Sequence, residues 1–359
     1  MVNEHYVPQS YLRLFAPDGE GVISRYGLTD KHPGDEYRRP KDRYSIRKAA
    51  SRKDFADGLL EGNDTVRTEQ AVIEAIRTLL RGESLSRDDV ACISQFLAFQ
   101  HGRGPSFKLQ FEARNLLSEI TEHEEDDLNV NPDIEWEAAL AHNANSGHET
   151  LQHMGWLLVT NDSNIPFITS DQPVVHYFSR DFDDVESTPQ TLEGREIHCP
   201  LSPEQLLVLL DPSYFHVDSQ HPETEIQQVT VEDAHEIQKW NQLQCINAFQ
   251  EVFGPVGHGQ MLERIVERLC DAFPDEEFVR GTAADFEAIQ RAQYVGSGQF
   301  LRDGNTDVTA EMEWYAETGK QILQARRKEA NALWTFDHQL ELVEGRQRNS
   351  PRVGYWSNL

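Results

Sequence analysis

Trp156–Val175, read as WLLVTNDSNIPFITSDQPVV, is where the chain changes from a helical to an extended period. Trp156-Leu157-Leu158-Val159-Thr160 is a short apolar run, Asn161-Asp162-Ser163-Asn164 is turn chemistry, and Pro166-Phe167-Ile168-Thr169 is a second extended run. Two such runs around a polar turn predict a β-hairpin. Further strands are expected at Val174–Phe178, Ile197–Leu201 and Gln205–Leu210, and short strands linked by turns predict an antiparallel meander, not a doubly wound parallel sheet.

On both sides of this stretch the pattern is helical. A short helix or turn over residues 8–15 precedes a hairpin-like strand at Gly19–Leu28. Val72, Ile73, Ile76, Leu79 and Leu80 recur at helical spacing after Thr65 or Thr68, predicting a helix to about Arg81. Ser86 with Asp89 three residues on reads as a capping box opening a helix that carries Val90, Ile93, Phe96 and Leu97. Gly102-Arg103-Gly104-Pro105 must stop or kink it, because glycine is flexible and proline lacks a donor. Another helix is expected to about Glu122, then an acidic loop, then a helix with Trp136, Ala139 and Leu140. After Thr230 two helices carry Ile237, Trp240 and Ile246, then Leu262, Ile265, Val266 and Leu269. The expectation is an α+β fold, mostly helical, with helices packed on a small antiparallel β-meander in one domain over residues 1–275. Residues 276–359 read as a helical C-terminal extension ending in a basic tail.

The 359 residues hold 61 Asp+Glu against 33 Lys+Arg, a formal net charge of −28, which excludes a globally basic nucleic-acid binder. No apolar run of about 18 residues is present, so no membrane-spanning helix is expected, and the N-terminus lacks a signal-peptide pattern, which points to a cytoplasmic protein. Only 8 of the basic residues are lysine, leaving 25 arginines. An acidic, lysine-poor surface suits a halophile, since screening over ~3 Å at 1 M salt removes the self-repulsion. The rival reading is an acidic protein with a basic partner. Cys92, Cys199, Cys245 and Cys270 show no CxxC spacing, so neither a zinc ribbon nor a redox pair is indicated.

One segment opposes the overall charge. Residues 37–53, YRRPKDRYSIRKAASRK, carry Arg38, Arg39, Lys41, Arg43, Arg47, Lys48, Arg52 and Lys53 against Asp42 alone, a local +7 that leaves −35 for the rest. It is a candidate site for phosphate, another anion or nucleic acid. In the plainer reading these cations pair with carboxylates of the same surface.

His5-Tyr6-Val7-Pro8 followed by Tyr11-Leu12-Arg13-Leu14-Phe15 resembles the opening of domain-of-unknown-function family 4238, a group from bacteria and archaea, and the composition suggests a haloarchaeal member. Further matches follow in the family's order. They are Phe55 where an aromatic is usual, Glu69 or Glu74 on a helix, Gln100 with Arg103-Gly104-Pro105, and Trp156 leading to Phe167–Val174. Pro200-Leu201-Ser202-Pro203 and Trp240-Asn241 complete the set. Gly104 stands where the family more often has Thr. The resemblance covers roughly residues 5–250 and implies no established activity.

Polar side chains from separate segments are the composition of a site assembled by folding. His5, Glu69 and Asp171 are the candidate acid–base or metal groups. Gln9, Arg38, Arg39, Arg43, Gln100, Arg103, Ser170 and Asn241 are candidate substrate contacts. Gln100 and Arg103, three apart, project from one helix face. The chemistry these types support is hydrolysis of a phosphodiester or nucleotide, with Mg²⁺ or Mn²⁺ as the divalent cation that would serve it. Each has a structural alternative: His5 docking a short helix, Ser170-Asp171 bonding amides in a turn, Glu69 complementing a helix dipole, Arg103 bonding carbonyls at a helix end. Ser170 lacks the GxSxG setting of a nucleophile elbow. His148 and His153 are five apart, not the four of HExxH, and Asp303–Asp307 lacks the glycine and final glutamate of an EF-hand loop. A hydrolase, a non-catalytic anion- or nucleic-acid-binding module, and a structural or regulatory subunit all remain open.

Overall fold

The computed structural model of the chain describes residues 3–17, 20–28, 39–53, 55, 63–105, 108, 140, 148–178, 195–212 and 226–272. The expected C-terminal extension and the helices expected before Glu122 and around Trp136 lie outside these residues, apart from a few isolated positions.

The strands in chain order are β1 (Asn3–His5), β2 (Val22–Gly27), β3 (Lys41–Ser45), β4 (Ser51–Lys53), β5 (Gly155–Asn161) and β6 (Thr169–Ser170). They continue with β7 (Val175–Phe178), β8 (Arg195–Ser202), β9 (Gln205–Leu210), β10 (Gln227–Val231) and β11 (Glu251–Gly254). The helices are α1 (Gln9–Leu12), α2 (Asn63–Leu80), α3 (Arg87–Arg103), α4 (Ala234–Asn247) and α5 (Gly259–Ala272).

Local chemistry accounts for the helix ends. The capping box forms, with Asp89 N donating to Ser86 Oγ at 3.2 Å and Ser86 N to Asp89 Oδ2 at 2.9 Å. Gly82, at φ 70, ends α2 in the left-handed conformation, which a side chain would strain. Asp233 accepts from His235 N at the start of α4.

The expected mostly helical fold on a small antiparallel meander is not what forms. Eleven strands make three sheets among the described residues: β1-β4, then β10-β5-β9-β8-β7, then β3-β2-β11-β6. The fold is α+β with a large strand component, and β10 runs parallel to β5. Three of the unexpected strands, β1, β3 and β4, lie in polar or charged sequence, where binary pattern is silent.

The expected hairpin at residues 156–169 does not form either. β5 pairs with β9 and β10, whereas β6 joins the other sheet beside β11. The intervening turn closes on itself instead. Ser163 N donates to Asn161 Oδ1 at 2.9 Å and Asn161 Nδ2 to Ile165 O at 2.7 Å, so the chain leaves one sheet and enters another.

Leu206–Leu210 is buried at every position. Such an unbroken apolar run marks a strand covered on both faces. Leu207 and Leu209 join Trp156, Leu158, Ile197 and Cys199 under α1, α2 and α3, whose Tyr11, Ile76 and Phe96 enter the same core. Leu206, Val208 and Leu210 face Ile237, Trp240 and Leu243 of α4. Leu262, Ile265 and Val266 of α5 cover the third sheet at Tyr26, Ile168 and Val252.

Helix α4 also braces the stretch that links the sheets. Asn241 accepts from Ile168 N at 3.0 Å and donates to Pro166 O at 2.9 Å. Gln244 accepts from Ser170 Oγ at 3.1 Å and donates to Pro173 O at 2.8 Å, and Asn247 donates to Gln172 O and Val174 O. These amides, three residues apart on one helix face, satisfy backbone groups that have no strand partner. Replacing Asn241 with Leu strands a buried donor and acceptor, so denaturant unfolding should show a loss of about 2–3 kcal/mol.

Candidate functional site

Two polar groups are built from the residues singled out in the sequence. The first is centred on Arg103, in the last turn of α3. Its Nη1 donates to Glu69 Oε1 of α2 at 2.7 Å, and its Nη2 donates to the carbonyl of His5. Gln100, one turn earlier, donates from Nε2 to Tyr6 O at 2.7 Å. Both side chains therefore hold the backbone around β1, and Arg103 is buried among Phe99 and these partners. A guanidinium so enclosed does not reach a phosphate in solvent. The expected substrate grip by Gln100 and Arg103 becomes a clamp on the element that carries His5.

That clamp sets the imidazole. His5 Nε2 lies 3.2 Å from Arg47 O, and Nδ1 lies 3.5 Å from Gln9 Nε2. A carbonyl only accepts, so Nε2 carries the hydrogen and Nδ1 presents its lone pair. Gln9 in turn accepts from Arg13 Nη2 at 3.3 Å. The side chain of Glu69 remains 20% exposed, so it keeps an edge to solvent.

The second group is interior. Asp171 is fully buried and accepts from the amides of Phe249 at 2.7 Å, Gln250 at 2.7 Å and Glu251 at 3.1 Å. Glu251 Oε1 accepts from Arg25 Nε at 3.0 Å, and its Oε2 accepts from Ala50 N at 3.0 Å. Ala50 has φ 44, a conformation that costs an L-residue about 1 kcal/mol. Its carbonyl accepts from Tyr6 N at 3.0 Å. Thus His5 and Asp171 are linked through main chain, Ala50 and Glu251, not through their side chains.

The positions expected from the sequence therefore divide. His5, Gln9, Glu69, Gln100 and Arg103 come together. Asp171, Ser170 and Asn241 do not join them: they are buried braces, with Asp171 capping the start of β11 and the other two held on α4 and the backbone. Arg38 lies outside the described residues, Arg39 is exposed, and Arg43 pairs at the surface with Glu20 at 3.0 Å. Asp42, the lone acid of the basic segment, is turned to Gly259 N at 2.9 Å.

Sequence reasoning passed over Glu251, Arg25, Gln244 and Asn247. The three-residue spacing of Asn241, Gln244 and Asn247 was a readable signal, whereas a single Arg within VISRYG or a Glu before VFG carries none. It also passed over a buried Glu196–His198 pair on β8, 2.9 Å apart, and stacked His101 and His176 rings 3.7 Å apart. Among the described residues, no group of three or more His, Cys, Asp or Glu side chains is placed to hold a metal ion. No helix among them is long and apolar enough to cross a membrane.

A family model described as Protein of unknown function (DUF4238) matches residues 3–255, and the chain belongs to that family. No curated protein and no solved structure matches it.

Burial pushes the Asp171 carboxyl up to about 7, the Glu251 charge adds to the rise, and the three amides oppose it. Because the folded chain holds this proton more tightly than an unfolded chain with an ordinary value of 3.8, the stability it contributes is full below the ordinary value. It is lost as pH rises through about 7. The unfolding free energy of the protein relative to an Asp171→Asn variant should fall with rising pH between those two values, by at most about 1.4 kcal/mol per pH unit. A difference independent of pH would contradict this.

Proposed function

We propose that the chain is a phosphodiester- or nucleotide-directed hydrolase acting at the rim where His5, Gln9 and Glu69 adjoin the basic segment. The observation that supports the reading is the bond from His5 Nε2 to Arg47 O, which ties an oriented imidazole to the main chain of a segment whose Arg47 and Lys48 side chains are exposed. In this reading Nδ1 takes a proton from the attacking water as its oxygen bonds to phosphorus. The Arg47 carbonyl stabilises the resulting imidazolium, and the same proton passes to the leaving oxygen as its bond to phosphorus breaks. Gln9, weakly engaged at 3.5 Å, would exchange its contact with Nδ1 for one with substrate. Arg47 and Lys48 offset charge on the phosphoryl oxygens.

Glu69 is the carboxylate of this group with an exposed edge, so Mg²⁺ or Mn²⁺ belongs in any assay. Arg103, Gln100 and Asp171 act as positioning residues behind His5. The acidic, lysine-poor composition supports placing this activity in a salt-rich cytoplasm. A second reading, a non-catalytic anion-binding module, is favoured by the depth of His5, which is 6% exposed.

Hydrolysis of an aryl phosphodiester and of nucleotides, screened in molar KCl with either cation, separates the two. His5→Ala and His5→Gln should each lower the rate by about 100-fold or more while leaving the fold intact. Activity unchanged in both variants would remove His5 from the chemistry, and binding without turnover in the parent protein would favour the module.

A further inference from the structure

Arg13, Lys41, Arg47 and Lys48 are all exposed, and among the described residues no carboxylate pairs with any of them. In a chain with 61 acidic residues this is unexpected, since abundant carboxylates should find nearby cations. Arg43 does find one, Glu20, while Asp42 is turned away to Gly259 N.

The four cations belong to one succession of contacts. The Lys41 ammonium lies 5.8 Å from the Tyr44 ring centre, and the Tyr44 hydroxyl donates to Lys48 O at 3.4 Å. Arg47, next to Lys48, accepts from His5 through its carbonyl at 3.2 Å; His5 faces Gln9 at 3.5 Å, and Gln9 accepts from Arg13 at 3.3 Å. Arg47 and Lys48 enter this succession through their carbonyls, and their side chains are exposed, so the candidate catalytic imidazole lies among the segments that carry the four cations.

We propose that a basic track, from Lys41 through Arg47 and Lys48 to Arg13, binds the phosphate backbone of a polynucleotide strand. The charge count decides between polymer and monomer. One phosphodiester carries a single negative charge, whereas four cations with no carboxylate partner among the described residues, on a body of opposite sign, are balanced by several phosphates in a row. Tyr44 is already flanked by Lys41 and by Arg25, whose guanidinium carbon is 5.1 Å from the ring centre. The ring is therefore engaged by cations, and the contacts are to phosphate and independent of base sequence. Charges on β3 also blunt an exposed sheet edge, but that role does not account for Arg47, Lys48 and Arg13, which are off the strand.

The inference rests on the reading of His5 given above for its chemistry, but binding is measured apart from turnover. Fluorescence anisotropy of a labelled oligothymidylate of roughly 20 nucleotides, titrated with the full chain across about 0.05 to 1 M KCl, gives affinity and salt slope. The expected slope of log affinity against log salt is about −3, and the triple variant Lys41→Gln/Arg47→Gln/Lys48→Gln should bind at least about 10-fold more weakly with a slope near −1. An Arg47→Lys/Lys48→Arg variant, which keeps the charges, should retain binding.

Three results would overturn the proposal. They are no binding across the salt range, undiminished binding by the triple variant, or thymidine monophosphate displacing the oligonucleotide as effectively as unlabelled oligonucleotide does. Self-association lost in the triple variant, without oligonucleotide binding, would assign the track to a second copy of the chain instead. Binding without hydrolysis leaves the track and removes the hydrolase reading; hydrolysis of small phosphodiesters without oligonucleotide binding does the reverse.

Discussion

The carboxylate of Glu251 is the interior charge on which the surrounding structure depends. It lies between the Arg25 guanidinium and the amide of Ala50, each at 3.0 Å, while its own amide is held by Asp171. A buried ion pair is weak evidence for net stability, but removing one partner leaves an uncompensated charge and costs about 3–5 kcal/mol. Here the pair also sustains a strained Ala50, and Ala50 supports the strand segment that leads from His5. Burial pushes the Asp171 carboxyl up to about 7, and the neighbouring Glu251 charge adds to the rise. Glu251 therefore joins the four-stranded sheet to the segment that carries the candidate imidazole.

The polar residues of the ordered motifs divide between two places and form no single reactive cluster. Arg103, Gln100, Asn241, Gln244 and Asp171 bond backbone carbonyls or amides at the ends of strands or just outside them. Such groups must be paired when buried, and polar side chains of the right length are the means. Gly104 fits the same pattern. A side chain there would come within 3.2 Å of the Gln172 side chain, so the bare backbone lets the end of α3 approach the Ser170–Pro173 turn. What keeps an edge to solvent is a smaller set, Gln9 and Glu69, with the buried His5 imidazole behind them.

How far the sequence could be read followed the physics of each signal. Ser86 and Asp89 announce a helix start because the motif is local, and α3 begins there. The strands from Val175 to Leu210 were legible as apolar runs, but their partners were not. Pairing is decided by long-range register, and nothing in Trp156–Thr169 says that β5 and β6 enter different sheets. Charged β3 and polar β1 carry no hydrophobic alternation, so strands appeared where only a site was expected. His5, Gln9, Glu69, Gln100 and Arg103 were named in one candidate set with Asp171, Ser170, Asn241 and three arginines of the basic segment, and nothing in chemical type or order separates the five that lie together. That Asp171 belongs with Glu251 and the 249–251 amides was not legible either, because an Asp in a turn looks the same whether it bonds backbone or substrate.

If Glu251 is the link between the sheet and the His5 segment, its loss must be felt at distant amides and not only at its own. Residue-by-residue amide hydrogen exchange of the protein and of a Glu251→Ala variant, under conditions where both stay folded, tests this most directly. The amides of Ala50 and Tyr6 should lose protection together in the variant, while those in the middle of α3 keep theirs. Unchanged protection at Ala50 and Tyr6 would contradict it.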